Sequence, residues 1–251
     1  MTSYPKPQKT LILGATSAIA QETAKLLAQH HHHLFLIARD PQKLAIVAQD
    51  LQVRGASQIH TATFDLNQFE HHDALFTQVT TQLQGIDIVL IAHGSLPDQH
   101  ACEQDYSTAE AALRTNFLST LSLLTKLANY MQNQGHGCLA VISSVAGDRA
   151  RQSNYIYGTA KGALNLYLQG LRNRLHRNHI CVLTIKPGFV DTPMTQHFKK
   201  GLLWAQPQQI AHGIVQAIEK RKDIVYLPWF WQIIMLVIKT IPEPIFKRLK
   251  L

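Results

Sequence analysis

Lys9-Thr10-Leu11-Ile12-Leu13-Gly14-Ala15-Thr16-Ser17-Ala18-Ile19-Ala20 runs from a short apolar segment, through a glycine, into small residues that open an amphipathic stretch. That reads as a buried strand, a tight turn and the first turn of a helix. Such a turn aims backbone N–H groups and a helix N-terminus at a pyrophosphate, and it needs small residues where backbone and phosphate approach. Against the spacing Gly-x-x-x-Gly-x-Gly only Gly14 is glycine, and Ala18 and Ala20 fill the other two places. Taken alone, the segment fits a nucleotide cradle and an ordinary strand-to-helix turn equally well.

The same alternation continues outward. Short apolar runs at 10–13, 34–38, 59–64, 86–91, 139–142, 181–185 and 224–226 read as strands buried on both faces. Amphipathic stretches at 18–29, 41–54, 69–82, 109–133, 154–175 and 207–221 read as the helices between them. Strictly alternating elements imply an α/β fold: a single doubly wound domain, a seven-stranded parallel sheet with helices on both faces. The domain is expected over 1–226, followed by an apolar and basic extension over 227–251.

With 251 residues, 46% of them apolar and 16% charged, the chain is globular and large enough for one sizeable core. Its three cysteines, Cys102, Cys138 and Cys181, are odd in number and widely spaced, which argues against a disulfide framework or a zinc site and for a reducing compartment. The opening MTSYPKPQKT has no apolar h-region, so a cytoplasmic location is expected. The four histidines His30 to His33 cannot all converge on one ion, so they read as a solvated loop and no metal is assigned. The net charge is +8, and nine basic against three acidic residues lie between 199 and 251. That concentration beside the most apolar stretch favours a membrane surface, at the inner face, over nucleic acid.

The second strand ends at Ala38-Arg39-Asp40, where a dinucleotide site examines the adenosine ribose. A carboxylate at the tip would accept from a 2′-OH, whereas arginine attracts a 2′-phosphate, so Arg39 points to NADP(H). Two alternatives stay open: Asp40 folding back to the ribose, or Arg39 pairing with a surface carboxylate.

Tyr157-Gly158-Thr159-Ala160-Lys161 places a phenol and an ammonium at i and i+4, on one helix face. A phenol titrates near pH 10, and a neighbouring positive charge makes its phenolate accessible at neutral pH. Ser144, in Ile142-Ser143-Ser144-Val145-Ala146-Gly147, stands at a strand end from which a hydroxyl can reach a substrate carbonyl.

Together with Asp65-Leu66, with Asn116 in Arg114-Thr115-Asn116-Phe117 and with Lys186-Pro187-Gly188-Phe189-Val190-Asp191-Thr192, these motifs resemble the short-chain dehydrogenase/reductase family in order and spacing, from about residue 10 to 226. The resemblance implies a Rossmann fold and reduction of a carbonyl to a secondary alcohol. It makes Tyr157 the proton donor, Ser144 its partner on the substrate oxygen, Lys161 the charge that stabilises the phenolate, and Asn116 part of a proton relay. It further implies cofactor contacts from Gly14, Thr16, Ser17, Ala18, Ile19, Arg39, Asp65, Leu66, Ala92, Gly94, Tyr157, Lys161, Pro187, Gly188, Val190 and Thr192. Two places depart from the family: the alanines at 18 and 20, and Ile91-Ala92-His93-Gly94, where His93 stands for the usual alanine and reads as a packing or cofactor-flanking residue. A catalytically inactive NADP-binding regulator of the same fold is the rival reading.

The tail, Leu227-Pro228-Trp229-Phe230-Trp231-Gln232-Ile233-Ile234-Met235-Leu236-Val237-Ile238, is too short to span a bilayer. Three roles are open to it: packing on the domain or on a second subunit in a homo-oligomer, lying in a membrane interface, or covering the substrate. The loop 192–207 carries Met194, Phe198, Leu202, Leu203 and Trp204, which suits a large, lipid-like carbonyl substrate. Tail and loop also resemble, loosely, bacterial relatives that reduce a keto sugar on a polyprenyl phosphate.

Overall fold

A computed structural model describes residues 7–249. Residues 1–6, which the reading for an export signal used, and residues 250–251 of the basic ending lie outside that range.

Seven parallel strands form one sheet in the order β3-β2-β1-β4-β5-β6-β9. They are β1 (Lys9–Leu13), β2 (His33–Ala38), β3 (Gln58–Thr63), β4 (Ile88–Ile91), β5 (Gly137–Ile142), β6 (Ile180–Pro187) and β9 (Ile224–Leu227). A two-stranded ladder of β7 (Phe189–Val190) and β8 (Trp204–Ala205) sits outside it. Helices α1 (Ala18–Gln29), α2 (Pro41–Val53) and α8 (Pro207–Glu219) share one apolar cluster, in which Leu27, Leu44 and Ile214 pack on Ile12, Leu36 and Leu183. Helices α3 (His72–Leu83), α6 (Ser119–Gln134) and α7 (Tyr155–Leu175) share the other, in which Val79, Leu124 and Leu168 meet Leu11, Phe35 and Val182. Because side chains alternate across a strand, Leu11 and Ile12 serve opposite faces.

The sheet reverses its winding between β1 and β4, and in open α/β sheets the crevice outside the carboxyl ends of the strands at such a point receives the ligand. Gly14, Arg39, Asp65, Gly94, Ser144 and Gly188 each follow the end of a strand, so all lie along that one edge.

The expected elements are present, with four differences. β3 and β9 are edge strands in which exposed and half-buried residues predominate, not runs buried on both faces. The stretch read as one helix over 109–133 is α5 (Tyr106–Leu113), a π-helical turn over Arg114–Leu118, and α6. A short α4 (Gln99–Gln104), capped by Asp98, had no counterpart in the reading. The histidine run is not a solvated loop: His32 is buried with Nδ1 3.0 Å from Thr10 Oγ1, and His33 opens β2. Burial, with repulsion from His30 next, lowers the His32 pKa to about 4, so the ring is neutral.

The tail folds into α9 (Phe230–Thr240) and α10 (Glu243–Phe246). The inner face of α9 packs Trp231 and Met235 on Val145, with Phe189 and Tyr226 beside them. Arg149 latches it: its guanidinium donates to the carbonyls of Ile238 at 2.7 Å and Ile241 at 2.6 Å, pairs with Glu243 at 3.0 Å, and lies 3.6 Å over the Phe246 ring.

Candidate active site

The first turn of α7 carries Tyr157, and one turn on, Lys161 reaches back to the end of β5, donating from Nζ to the Ile142 carbonyl at 3.1 Å. Lys161 Nζ lies 5.7 Å from the centre of the Tyr157 ring. Burial moves the two groups in opposite senses. It raises the phenol to about 12, against which a hydrogen bond with Ser144 pulls down, and it lowers the ammonium to about 8. At neutral pH Tyr157 is therefore a protonated donor, and Lys161 holds a charge that burial has made easy to give up. Ser144 is placed by its own turn, where Oγ accepts from the Ala146 amide at 3.1 Å.

Asn116 sits in the π turn, almost wholly buried. Its Nδ2 donates to the Ala112 carbonyl at 2.9 Å and its Oδ1 accepts from the Ser95 amide at 3.0 Å. Between Asn116 and Lys161 lies Gly94, where a Cβ would come 2.9 Å from Asn116 Oδ1 and 3.7 Å from Lys161 Nζ. Gly94 thus leaves room between the two side chains. The structure brings Asn116, Ser144, Tyr157 and Lys161 to one place.

At the other end of the crevice Gly14 adopts φ +82°, and a Cβ there would lie 2.6 Å from the His93 amide nitrogen. Both features require glycine at this position. Ser17 caps α1 by accepting from the Ala20 amide, while the amides of Thr16, Ala18 and Ile19 take no acceptor among the described residues. Ala20 is fully buried against the core, so its methyl fills packing space behind the turn. Ala92 hydrogen-bonds its amide to the Leu13 carbonyl, tying the end of β4 to that of β1.

His93 is neutral: burial chiefly, then Lys161, His72 and Arg39, lower its pKa to about 3. Its Nε2 meets Ser119 Oγ at 2.8 Å, and its buried Nδ1 has no partner among the described residues. The ring thus packs against Ser119, at a position that the sequence reads as packing or cofactor-flanking.

Arg39 is exposed and makes no hydrogen bond or ion pair among the described residues. Asp40 is occupied: its Oδ1 accepts from the Gln42 and Lys43 amides at 3.0 Å, capping α2. Asp65 accepts from the Asn67 amide at 3.0 Å and Leu66 is buried behind it. A free helix N-terminus, a cation with no partner and glycines pinned by close approach suit a dinucleotide with anionic phosphates.

Beyond β6, Pro187 and Gly188 lead into Phe189 and Val190, and Thr192 opens a single helical turn in which its amide donates to Thr195 Oγ1 at 3.2 Å. The Trp231 indole covers Gly188. Sequence reasoning passed over a buried polar knot behind this edge. Lys186 Nζ meets Asp148 Oδ1 at 2.5 Å, and the Tyr226 hydroxyl donates to Asp148 Oδ2 at 2.6 Å. Burial and then the Asp148 carboxylate push the Tyr226 phenol well up. The knot ties the turn after Ser144 to β6 and β9, and residues 78 positions apart in sequence carry no motif for it.

A profile described as short chain dehydrogenase matches residues 8–202. An uncharacterized oxidoreductase of Mycobacterium tuberculosis is 34% identical over 239 residues, spanning 95% of this chain and 96% of that one. Another, from Streptomyces coelicolor, is 32% identical over 244 residues, 97% of this chain and 96% of its own. Among solved structures, a putative gluconate dehydrogenase from Agrobacterium tumefaciens superposes with a TM-score of 0.80 at 20% identity, over 88% of this chain and 94% of that one, which speaks to the fold. With the profile spanning most of the chain and relatives above 30% identity along nearly all of it, this protein belongs to the short-chain dehydrogenase family and is an oxidoreductase of the kind that uses a nicotinamide cofactor.

Proposed function

We propose that the protein is an NADP(H)-dependent reductase that converts a ketone to a secondary alcohol. The observation that carries this reading is the gathering of Ser144, Tyr157, Lys161 and Asn116 on the carboxyl edge of the sheet, with the Tyr157 phenol protonated at neutral pH. Bound along that edge, the reduced nicotinamide supplies a hydride for the carbonyl carbon. Tyr157 gives its phenolic proton to the carbonyl oxygen as negative charge develops there, and Ser144 hydrogen-bonds the same oxygen. The Lys161 ammonium stabilises the phenolate left behind. Asn116 and Lys161 border the gap at Gly94, through which a water can return the proton.

NADP(H) rather than NAD(H) is supported by the unpaired Arg39 guanidinium at the tip of β2, and by Asp40 being committed to the α2 cap. A bulky, apolar or lipid-linked carbonyl is supported by the aromatic wall beyond Gly188, where Phe189 stacks on Trp204 with ring centres 5.4 Å apart and meets Trp231 edge-on at 5.1 Å.

The test is oxidation of NADPH and NADH by the purified chain against a panel of ketones, including 3-oxoacyl thioesters and polyprenyl-phosphate-linked keto sugars. Turnover of at least one ketone with NADPH, abolished in Tyr157→Phe, is expected. Tight NADPH binding with no turnover on any carbonyl, and no difference between wild type and Tyr157→Phe, would instead identify a regulator that kept the fold without the chemistry.

A further inference from the structure

Helix α9 has two unlike faces. Trp231 and Met235 are buried against the domain, whereas Trp229, just before the helix, is 70% exposed, Ile233 55%, Leu236 60% and Val237 58%. At 100° per residue those four fall within an arc of about 100°, opposite the buried pair. A second exposed apolar group lies in the loop beyond Gly188: Phe198 is 54% exposed and Leu202 fully so. The Phe189 ring joins the two groups, with Trp204 of the loop on one side and Trp231 of α9 on the other.

Charge distinguishes the possible occupants of this surface. Lys199, Lys239, Lys247 and Arg248 are exposed along the loop, the end of α9 and the segment after it. The one acid between 224 and 249, Glu243, is already paired with Arg149. A second copy seated across a two-fold axis would set these cations against their own images. An anionic lipid surface pairs with them and accepts the apolar arc at the level of the headgroups, where tryptophan is favoured. No helix among the described residues is long and apolar enough to cross a membrane, which leaves the interfacial plane for α9.

We propose that the outer face of α9, together with the loop at 198–203, docks on the surface of an anionic lipid bilayer. Since the inner face of α9 packs on Val145, the neighbour of Ser144, and covers Gly188, docking brings the flank of the site that α9 covers close to the lipid. The inference does not depend on the redox chemistry proposed above.

The experiment is co-sedimentation of the purified full chain with vesicles of phosphatidylcholine, with and without phosphatidylglycerol. Wild type is expected to pellet with the mixed vesicles at low salt, to be released as salt is raised, and to stay in solution with phosphatidylcholine alone. Leu236→Ser with Val237→Ser, and separately Lys239→Gln with Lys247→Gln and Arg248→Gln, should each weaken vesicle binding by about tenfold or more. Both variants should keep the wild-type melting temperature and circular dichroism spectrum, which shows that the fold is intact. The proposal is overturned if wild type ignores the anionic vesicles at low salt, or if neither variant changes pelleting. It is equally overturned if light scattering shows a dimer that the serine variant converts to a monomer, for then the face is a subunit interface.

Discussion

Trp231 stands where a side chain at Gly188 would have to be: a methyl group added to Gly188 would overlap the indole ring. A residue from α9 thereby fixes how close the backbone after β6 can come to its neighbours.

Gly188→Ala is expected to destabilise the protein by about 1–3 kcal/mol through overpacking. Trp231→Ala should cost about 3–5 kcal/mol by leaving a cavity. In the double variant the methyl group has room, so the loss should fall short of the sum, and urea denaturation of the four proteins measures the difference. Additive losses would mean that the two residues do not oppose one another.

Tyr157→Phe removes the hydroxyl and little else. Turnover of the identified ketone should fall by about 10²-fold or more, while NADPH affinity, read by quenching of tryptophan fluorescence, stays close to wild type. Normal turnover would show that the proton comes from another group.

Arg39→Ala should weaken NADPH by about 1.5–3 kcal/mol, the worth of a hydrogen bond to a charged group, and leave NADH almost untouched. Calorimetric titration with each cofactor decides it. Equal losses for both would remove Arg39 from the recognition of the 2′-phosphate.

Lys161 carries a signed effect of pH on stability. Its pKa is near 8 in the fold and 10.5 as a free side chain, so below pH 8 the buried ammonium opposes folding in full, and between those two values the opposition is relieved. Lys161→Met should therefore be more stable than wild type at pH 7, by about 1–3 kcal/mol, and the gain should shrink as pH rises toward 10. Melting temperatures of the pair across that range give the answer, and a gain that grows with pH would reverse the assignment.

The alternation of apolar runs and amphipathic stretches was enough to read the sheet, and the i, i+4 spacing was enough to put Tyr157 and Lys161 on one helix, because both depend on local spacing. What depends on distant partners was not legible. Within the π turn the Asn116 side chain bonds the Ala112 carbonyl and the distant Ser95 amide, and helical periodicity carries no trace of either, so the run 109–133 reads as one unbroken helix. The four histidines were read as solvated because nothing in their order reveals that His32 lies beneath β1, on Thr10. Helix α9 is apolar all round in sequence, and it acquires an inner face only because Val145, Phe189 and Tyr226 are there to receive it. Asp148, Lys186 and Tyr226 come from three segments and form a unit only after the sheet has closed.

Helices α5 and α6 behave as one rod with a phase slip at Arg114–Leu118. Upstream of the slip the rod presents Ala109 and Ala112 to Ile156 at the head of α7, and downstream it presents Leu123, Leu124 and Leu127 to the sheet. A straight α-helix would hold its downstream stripe to the direction set upstream, whereas the wider turn lets a single rod address two surfaces. Asn116 lies within the slip itself, so the winding of the rod aims its amide at the gap beside Lys161. Removing one residue from this turn would leave an unbroken α-helix with both stripes still on their surfaces, and would take away the widened turn that holds Asn116.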